Sequence, residues 1–177
     1  MSVNFDQAAA KAALRLIQIS HDNWTAGLAA LAGKDMTGAD WQNLALQQYA
    51  HAVAVLTWAR GLDDMCRDNP AQLPGYASAR PQSEVFLGAA RYACNRAVHQ
   101  LITLNQPVGG FGFPMKFPFG FNNLIHFRWA PEAFLPDPQT ERPNQAPLRA
   151  HYVARFAGEE VTPGLDQLRI WFEAHVR

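Results

Sequence analysis

The sequence predicts an all-α fold, a bundle of four to five helices that carries one short extended insertion. Apolar residues recur at helical spacing over several long stretches, whereas strict alternation is confined to one run rich in phenylalanine and proline. The chain has 177 residues, of which 49% are hydrophobic, and this is enough for one core. We therefore expect one domain over residues 1–177, with an extended aromatic and proline-rich insertion at 105–147.

Helical periodicity divides the N-terminal half into three helices. The first covers residues 5–32, and the second extends from Thr37 to about Arg67. The second helix is apolar around much of its circumference, which is typical of a helix that is buried on more than one side. A loop marked by Pro74-Gly75 follows, and the third predicted helix then covers about 81–104.

Two shorter helices are predicted near the C-terminus. The stretch LRAHYVARFAG is predicted to be a helix that ends at Gly158, with Tyr152 and Phe156 facing inward. Thr162-Pro163 opens the last helix. The apolar stripe of that helix is Leu165, Leu168 and Phe172.

The insertion contains the run GGFGFPMKFPFGFNN, in which apolar side chains occupy every second position from Phe111 to Phe121. This period predicts an extended chain with its apolar side chains on one face. Pro114 and Pro118 exclude a central strand but allow an edge strand or a strap. The run is interpreted either as a hydrophobic strap that closes the bundle or as a dimer or ligand surface.

Composition and motifs exclude several classes of function. The chain has 15 basic and 15 acidic residues, so any contact with RNA has to be local. Two cysteines give neither a disulfide framework nor a zinc site. No phosphate loop and no metal-binding histidine pair is present, so we expect no cofactor and no metal. The sequence shows no signal peptide and no membrane span, which predicts a cytoplasmic protein without membrane contact.

By elimination, the best candidate site is a polar stripe on the third predicted helix, in the stretch RYACNRAVHQ. Arg91, Asn95 and His99 follow one another at intervals of four residues. Two steps along a helix turn by about 200°, so the stripe lies opposite a row of small residues. That row is Ala89, Ala93, Ala97 and Leu101. A polar stripe opposite an alanine row is also what an ordinary surface helix shows.

The segment CNRAVHQ, late in a helix of a small bundle, resembles the R-N-x-x-x-H signature of the HEPN family. The wider stretch LGAARYACNRAVHQLITL is similar to the corresponding helix of actinobacterial HEPN-like proteins. Weaker similarity extends to WARGLDD at 58–64 and to residues 151–172, so that about half the chain is covered. The resemblance implies a HEPN-like bundle that dimerises through facing motif helices. Many HEPN proteins are metal-independent ribonucleases that act as toxins or in phage defence, and others only bind nucleotides or partners.

Transferred to this sequence, the signature gives Asn95 as its asparagine and His99 as its histidine, whereas Cys94 stands where the arginine belongs. A histidine can move the proton of a 2′-hydroxyl, and an arginine stabilises charge on phosphate oxygens. A cysteine cannot replace that cation. We therefore expect His99 as the acid–base group, Asn95 as the orienting amide, and Arg91 or Arg96 as the phosphate contact. Replacing Cys94 by arginine is expected to create or strengthen cleavage.

The function predicted from the sequence is a HEPN-type metal-independent endoribonuclease, or a catalytically weakened relative, of a toxin or phage-defence kind. The predicted catalytic residues are His99, Asn95, Arg91 and Arg96, and the predicted substrate-binding residues are Arg91, Arg96 and Cys94. The implied partners are an RNA substrate, a second copy of the chain, and an antitoxin or another protein. The alternatives are a non-catalytic HEPN-like dimeric binding module and an assembly protein that uses the aromatic strap.

Overall fold

The computed structural model describes residues 6–31, 39–97, 106–107, 127–135 and 137–176, and it is an all-α bundle, as predicted. The α-helices of these ranges are α1 (Gln7–Leu31), α2 (Ala39–Arg67), α3 (Pro74–Ala79), α4 (Glu84–Ala97), α5 (Ala146–Arg155) and α6 (Val161–His175). Short 3₁₀ turns occupy Arg80–Ser83, Glu132–Phe134, Pro138–Thr140 and Pro143–Gln145. Two strands, β1 (Gln106–Pro107) and β2 (Phe127–Arg128), pair antiparallel with Gln106 opposite Arg128.

The short helix α3 lies where the sequence predicted a loop. Pro74 opens it, at a position where the missing N–H is not needed. Tyr76 is buried, and its hydroxyl donates hydrogen bonds to the backbone carbonyl and the carboxylate of Asp63 in α2. The ring of Tyr76 also meets the ring of Trp171 edge-on, at a centroid distance of 5.4 Å. Contacts with α2 and α6 therefore stabilise a helix of only six residues that local sequence signals did not indicate.

The core lies between α2 and its neighbours. The helices α1 and α2 pack along each other, α4 packs on α5, and α6 contacts both α1 and α2. The small row predicted on α4 is buried at Ala89 and Ala93, and Leu165, Leu168 and Phe172 of α6 are fully buried. The helical period therefore identified the inward faces of these two helices correctly.

Residues 127–130 are fixed against the turn between α5 and α6. Trp129 is fully buried and stacks on Phe156 at a centroid distance of 4.8 Å. Its backbone N–H donates to the backbone carbonyl of Glu159 (2.9 Å), and its backbone carbonyl accepts from the backbone N–H of Gly158 (3.1 Å). Gly158 has a φ of +77°, the left-handed conformation expected of a glycine just after a helix end. The helix α5 itself ends at Arg155, three residues before the predicted stop at Gly158.

Of the predicted insertion at 105–147, the structure describes residues 106–107, 127–135 and 137–147. Phe127 and Trp129 are buried while Arg128 between them is exposed, which is the alternation of an extended chain. The Phe-rich run at 111–121 lies outside the described residues, and so do its predicted roles as strap or interface. None of the helices in the described ranges is long and apolar enough to cross a membrane.

Candidate functional site

A pocket of about 490 Å³ lies where the last turn of α4 meets α2 and the segment that precedes α5. Its lining residues are Arg60 from α2, Asn95 and Arg96 from α4, and Thr140, Glu141, Arg142, Asn144 and Gln145. Three arginines and one glutamate line it, so the pocket is basic although the formal charge of the whole chain is zero. The pocket is thus a local concentration of positive charge.

Asn95 connects two sides of this pocket. Its side-chain oxygen accepts a hydrogen bond from Nη1 of Arg60 in α2. Its side-chain nitrogen donates to Oε1 of Gln145 at 3.1 Å, just before α5 begins. Because both ends of the amide are used, Asn95 fixes the relative positions of α2 and the segment before α5 at this point of the wall.

Arg96 is held from two directions. Its Nη2 donates to Oε1 of Glu141 at 2.6 Å, and its guanidinium lies 5.5 Å from the centre of the Tyr92 ring. The Glu141 side chain is only 2% exposed and also accepts from the Tyr92 hydroxyl (2.5 Å) and from Arg149 (3.3 Å). Burial, together with the hydrogen bond to Glu141, raises the pKa of the Tyr92 hydroxyl above its ordinary value. The Arg96 guanidinium is therefore positioned at the pocket wall by groups that are mostly buried.

Arg60 reaches the pocket from the surface of α2. Its side chain is 42% exposed, and its Nε lies 3.9 Å from Oδ2 of Asp64, one turn further along the helix. Asp64 accepts a closer contact, 2.6 Å, from Arg91 of α4. The Asp64 carboxylate is thus shared by Arg60 and Arg91, and its shorter contact is with Arg91, which lies outside the pocket.

Arg91 is bound in a buried ion-pair network. Its Nη2 lies 2.6 Å from Oδ2 of Asp63, and Arg80 donates from Nε to Oδ1 of the same carboxylate at 3.0 Å. Burial by itself raises the pKa of Asp63, but hydrogen bonds from Tyr76, Arg91 and Arg80 outweigh it, so the pKa lies below its ordinary value. The sequence predicted Arg91 or Arg96 as the phosphate contact, and of the two it is Arg96 that lines the pocket.

Cys94 faces the interface between α4 and α2. It is 2% exposed, and its Sγ lies 4.0 Å from Oγ1 of Thr57. Cys94 was predicted as a substrate-binding residue, but it is not among the residues that line the pocket. His99, the predicted acid–base group, lies outside the described residues. The structure thus brings Asn95 and Arg96 together and leaves Arg91 and Cys94 outside the pocket.

Three charged residues of this site were not predicted from the sequence, namely Arg60, Glu141 and Arg142, and neither were its polar residues Thr140, Asn144 and Gln145. Arg60 lies in the stretch WARGLDD and forms an i, i+4 pair with Asp64, but a surface arginine at that spacing is common. Glu141 meets Arg96 from 45 positions away in a proline-rich segment. Neither periodicity nor a local motif signals such a contact.

Within the described ranges, no group of three or more histidine, cysteine, aspartate or glutamate side chains is arranged to hold a metal ion. In comparisons with known proteins, no family model, no curated protein and no solved structure matches this chain. The site is therefore interpreted from its geometry and its residues.

Proposed function

We propose that this protein binds RNA through backbone phosphates in the pocket beside Asn95, and that it is a HEPN-type metal-independent endoribonuclease of a toxin or phage-defence kind. The observation that carries the proposal is that Asn95 and Arg96 line one pocket together with two further arginines, Arg60 and Arg142. Planar guanidinium groups match the geometry of phosphate oxygens and stay charged at any physiological pH.

The size and lining of the pocket fit a nucleotide unit of a strand. A volume of about 490 Å³ lies within the range of small-molecule sites. The lining includes the hydroxyl of Thr140 and the amides of Asn144 and Gln145, which can donate to or accept from a ribose or a base edge. A pocket lined by so many polar groups suits a charged backbone better than an apolar ligand.

The proposed cleavage needs a base, a phosphate contact and a leaving-group proton. His99, four positions after Asn95 in the sequence, takes the proton of the 2′-hydroxyl. The 2′-oxygen then bonds to the adjacent phosphorus, the bond from phosphorus to the 5′-oxygen breaks, and His99 returns its proton to the departing 5′-oxygen. The products are a 2′,3′-cyclic phosphate and a 5′-hydroxyl. Arg96 stabilises the charge that develops on the phosphate oxygens.

A second candidate is a HEPN-like module that binds RNA without cleaving it. The observation that favours it is the side chain at the position of the motif arginine. Cys94 is buried there and carries no positive charge that could contact a phosphate. The same pocket would then hold the phosphates of a bound strand. In either case the resemblance implies a homodimer in which the two copies of α4 face each other, with an antitoxin or another protein as further partner. Light scattering at micromolar concentration tests the dimer, and a monomeric mass contradicts it.

The experiment that tests the proposed function measures both binding and cleavage of single-stranded RNA in the presence of a metal chelator. We expect the wild type to bind the strand and to release fragments with cyclic phosphate ends. His99→Ala should abolish cleavage while binding persists, and Arg96→Gln should weaken binding. Binding without cleavage would identify the non-catalytic module, and the absence of both would contradict the proposed function.

A matched control for Arg96→Gln is Arg155→Gln. Both arginines lie in the last turn of a helix and over an aromatic ring, Arg96 over Tyr92 and Arg155 over Phe86. Arg155 does not line the pocket. Equal losses of binding in the two variants would mean that the pocket is not the binding site.

A further inference from the structure

We propose that Arg60 of α2 supplies the phosphate-binding guanidinium that position 94 of α4 lacks. The inference rests on the proposed function, since it names a second residue, beside Arg96, that contacts the phosphate in that same pocket. It is carried by three observations: the direction of Cys94, the contact between Arg60 and Asn95, and the way in which Asp64 is shared.

The first observation is that a positively charged side chain cannot be accommodated at position 94. Cys94 is 2% exposed, and its thiol lies against Thr57 of α2. An arginine at this position would place a charged group in the interface between two helices, where it would lose its hydration without a partner. A phosphate contact at this site therefore has to come from another position in the chain.

The second observation is that Arg60 contacts Asn95, the asparagine of the motif, from the neighbouring helix α2. Arg60 is three residues after Thr57, which is about 4.5 Å further along α2 at 1.5 Å per residue. Thr57 is the residue that contacts Cys94, so Arg60 lies one turn beyond that contact, towards the pocket. Its Nη1 donates to Oδ1 of Asn95, the residue that follows Cys94.

The third observation concerns the charge of Arg60. The nearest carboxylate, that of Asp64, lies 3.9 Å from Nε of Arg60 but 2.6 Å from Nη2 of Arg91. A guanidinium has five N–H donors, and the hydrogen bond to Asn95 occupies one of them. Asn95 thus orients Arg60, while Asp64 is engaged more closely by Arg91. A phosphate in the pocket can then receive two parallel hydrogen bonds from Arg60.

The chain offers a closely matched control in Arg67. Arg67 also lies on α2 and is paired with Asp64, with Nη1 at 3.8 Å from Oδ1, and its side chain is 47% exposed against 42% for Arg60. Unlike Arg60, Arg67 does not line the pocket. Loss of a positive charge and of an Asp64 contact is thus common to both substitutions. They differ in position relative to the pocket and in the hydrogen bond to Asn95, which only Arg60 makes.

The test uses the full chain and a short single-stranded RNA labelled with a fluorophore, with affinity measured by anisotropy over a series of salt concentrations. For Arg60→Gln we expect binding weakened by about tenfold and a salt slope reduced by roughly 0.7, the value for one lost phosphate contact on a single strand. Arg67→Gln should leave the slope unchanged and affinity within about twofold. Arg60→Lys should keep the slope but lose part of the affinity, because the charge remains and the planar fork is lost.

The outcomes separate this inference from the proposed function. If Arg60→Gln and Arg67→Gln behave alike while Arg96→Gln still weakens binding, the pocket binds RNA without Arg60 and the inference is wrong. If the wild type does not bind RNA, the proposed function fails and the inference fails with it. Thermal unfolding of each variant shows whether the fold is kept. If Arg60→Gln does not fold, Arg60→Lys becomes the test of the inference. An RNA affinity of Arg60→Lys equal to that of the wild type overturns the inference.

Discussion

Nη2 of Arg91 in α4 lies 2.6 Å from Oδ2 of Asp63 in α2, and both side chains are largely buried, with 16% and 5% of their surface exposed. The same carboxylate accepts hydrogen bonds from Arg80 and from Tyr76 of α3. One acidic side chain therefore joins α2, α3, the 3₁₀ turn at Arg80 and α4. This junction fixes α4 at Arg91, one turn before Asn95 on the same helix.

We expect Asp63→Asn to lower the free energy of unfolding by about 3–5 kcal/mol. The substitution leaves two buried guanidinium groups, those of Arg80 and Arg91, without their shared carboxylate. Asp64→Asn is the control, because that side chain is 45% exposed, and its loss should cost about 1 kcal/mol or less. Urea unfolding measures both, and a loss of equal size in the two variants would contradict the role given to Asp63.

The acid side of the stability profile should depend on Asp63. Burial raises the pKa of this carboxyl, but hydrogen bonds from Tyr76, Arg91 and Arg80 lower it by more, so the folded-state pKa lies below the ordinary value of 3.8. Its contribution to stability is therefore fully present above about pH 4, and is lost as the pH falls through the folded-state pKa. Urea unfolding at a series of pH values should show this loss in the wild type. In Asp63→Asn this part of the pH dependence should be absent. If Asp63→Asn shows the same pH dependence of unfolding as the wild type, the assignment to Asp63 is wrong.

The sequence predicted those parts of the fold and site that depend on contacts along one helix. The inward row at Ala89 and Ala93 and the opposite face with Asn95 follow from the helical period alone. The direction of Cys94 was available from the same period, since Cys94 lies one turn after Ala90, which is also buried. The HEPN signature specifies the identity of the residue at position 94 and not the direction of its side chain.

The rest of the site depends on contacts between distant parts of the chain. Arg60 and Asn95 are 35 positions apart, and Arg96 and Glu141 are 45 positions apart. Such pairs form because packing of the helices brings them together, and no local pattern encodes that packing. Helix α3 was missed for a related reason, since its six residues are stabilised by Asp63 and Trp171 rather than by propensity.

Gly88 is expected to be required for the close packing of α4 on α5. A Cβ at this position would lie 2.2 Å from Nδ1 of His151, so the ring would have to move. The resulting strain, typically 1–3 kcal/mol, should exceed the gain of about 1 kcal/mol in helix propensity, and Gly88→Ala should lower the unfolding free energy. Gly61→Ala in α2 is the control, because a Cβ there would meet no atom within 4 Å outside the local backbone of its own helix. That variant should be more stable by about 1 kcal/mol, and thermal unfolding compares the two.

The last prediction concerns Cys94, for which the sequence and the structure lead to different expectations. The resemblance to the HEPN signature implies that an arginine here strengthens cleavage. The structure shows the thiol 2% exposed and directed at Thr57, so Cys94→Arg has to bury a guanidinium in a packed interface. We expect that variant to lose roughly 3 kcal/mol or more of stability, whereas Cys94→Ala loses about 1 kcal/mol. Urea unfolding of the two variants, with RNA cleavage measured on whatever remains folded, decides between the expectations. A Cys94→Arg protein that is as stable as the wild type and cleaves RNA faster would mean that the side chain at position 94 reaches the pocket after all, and that Arg60 does not replace it.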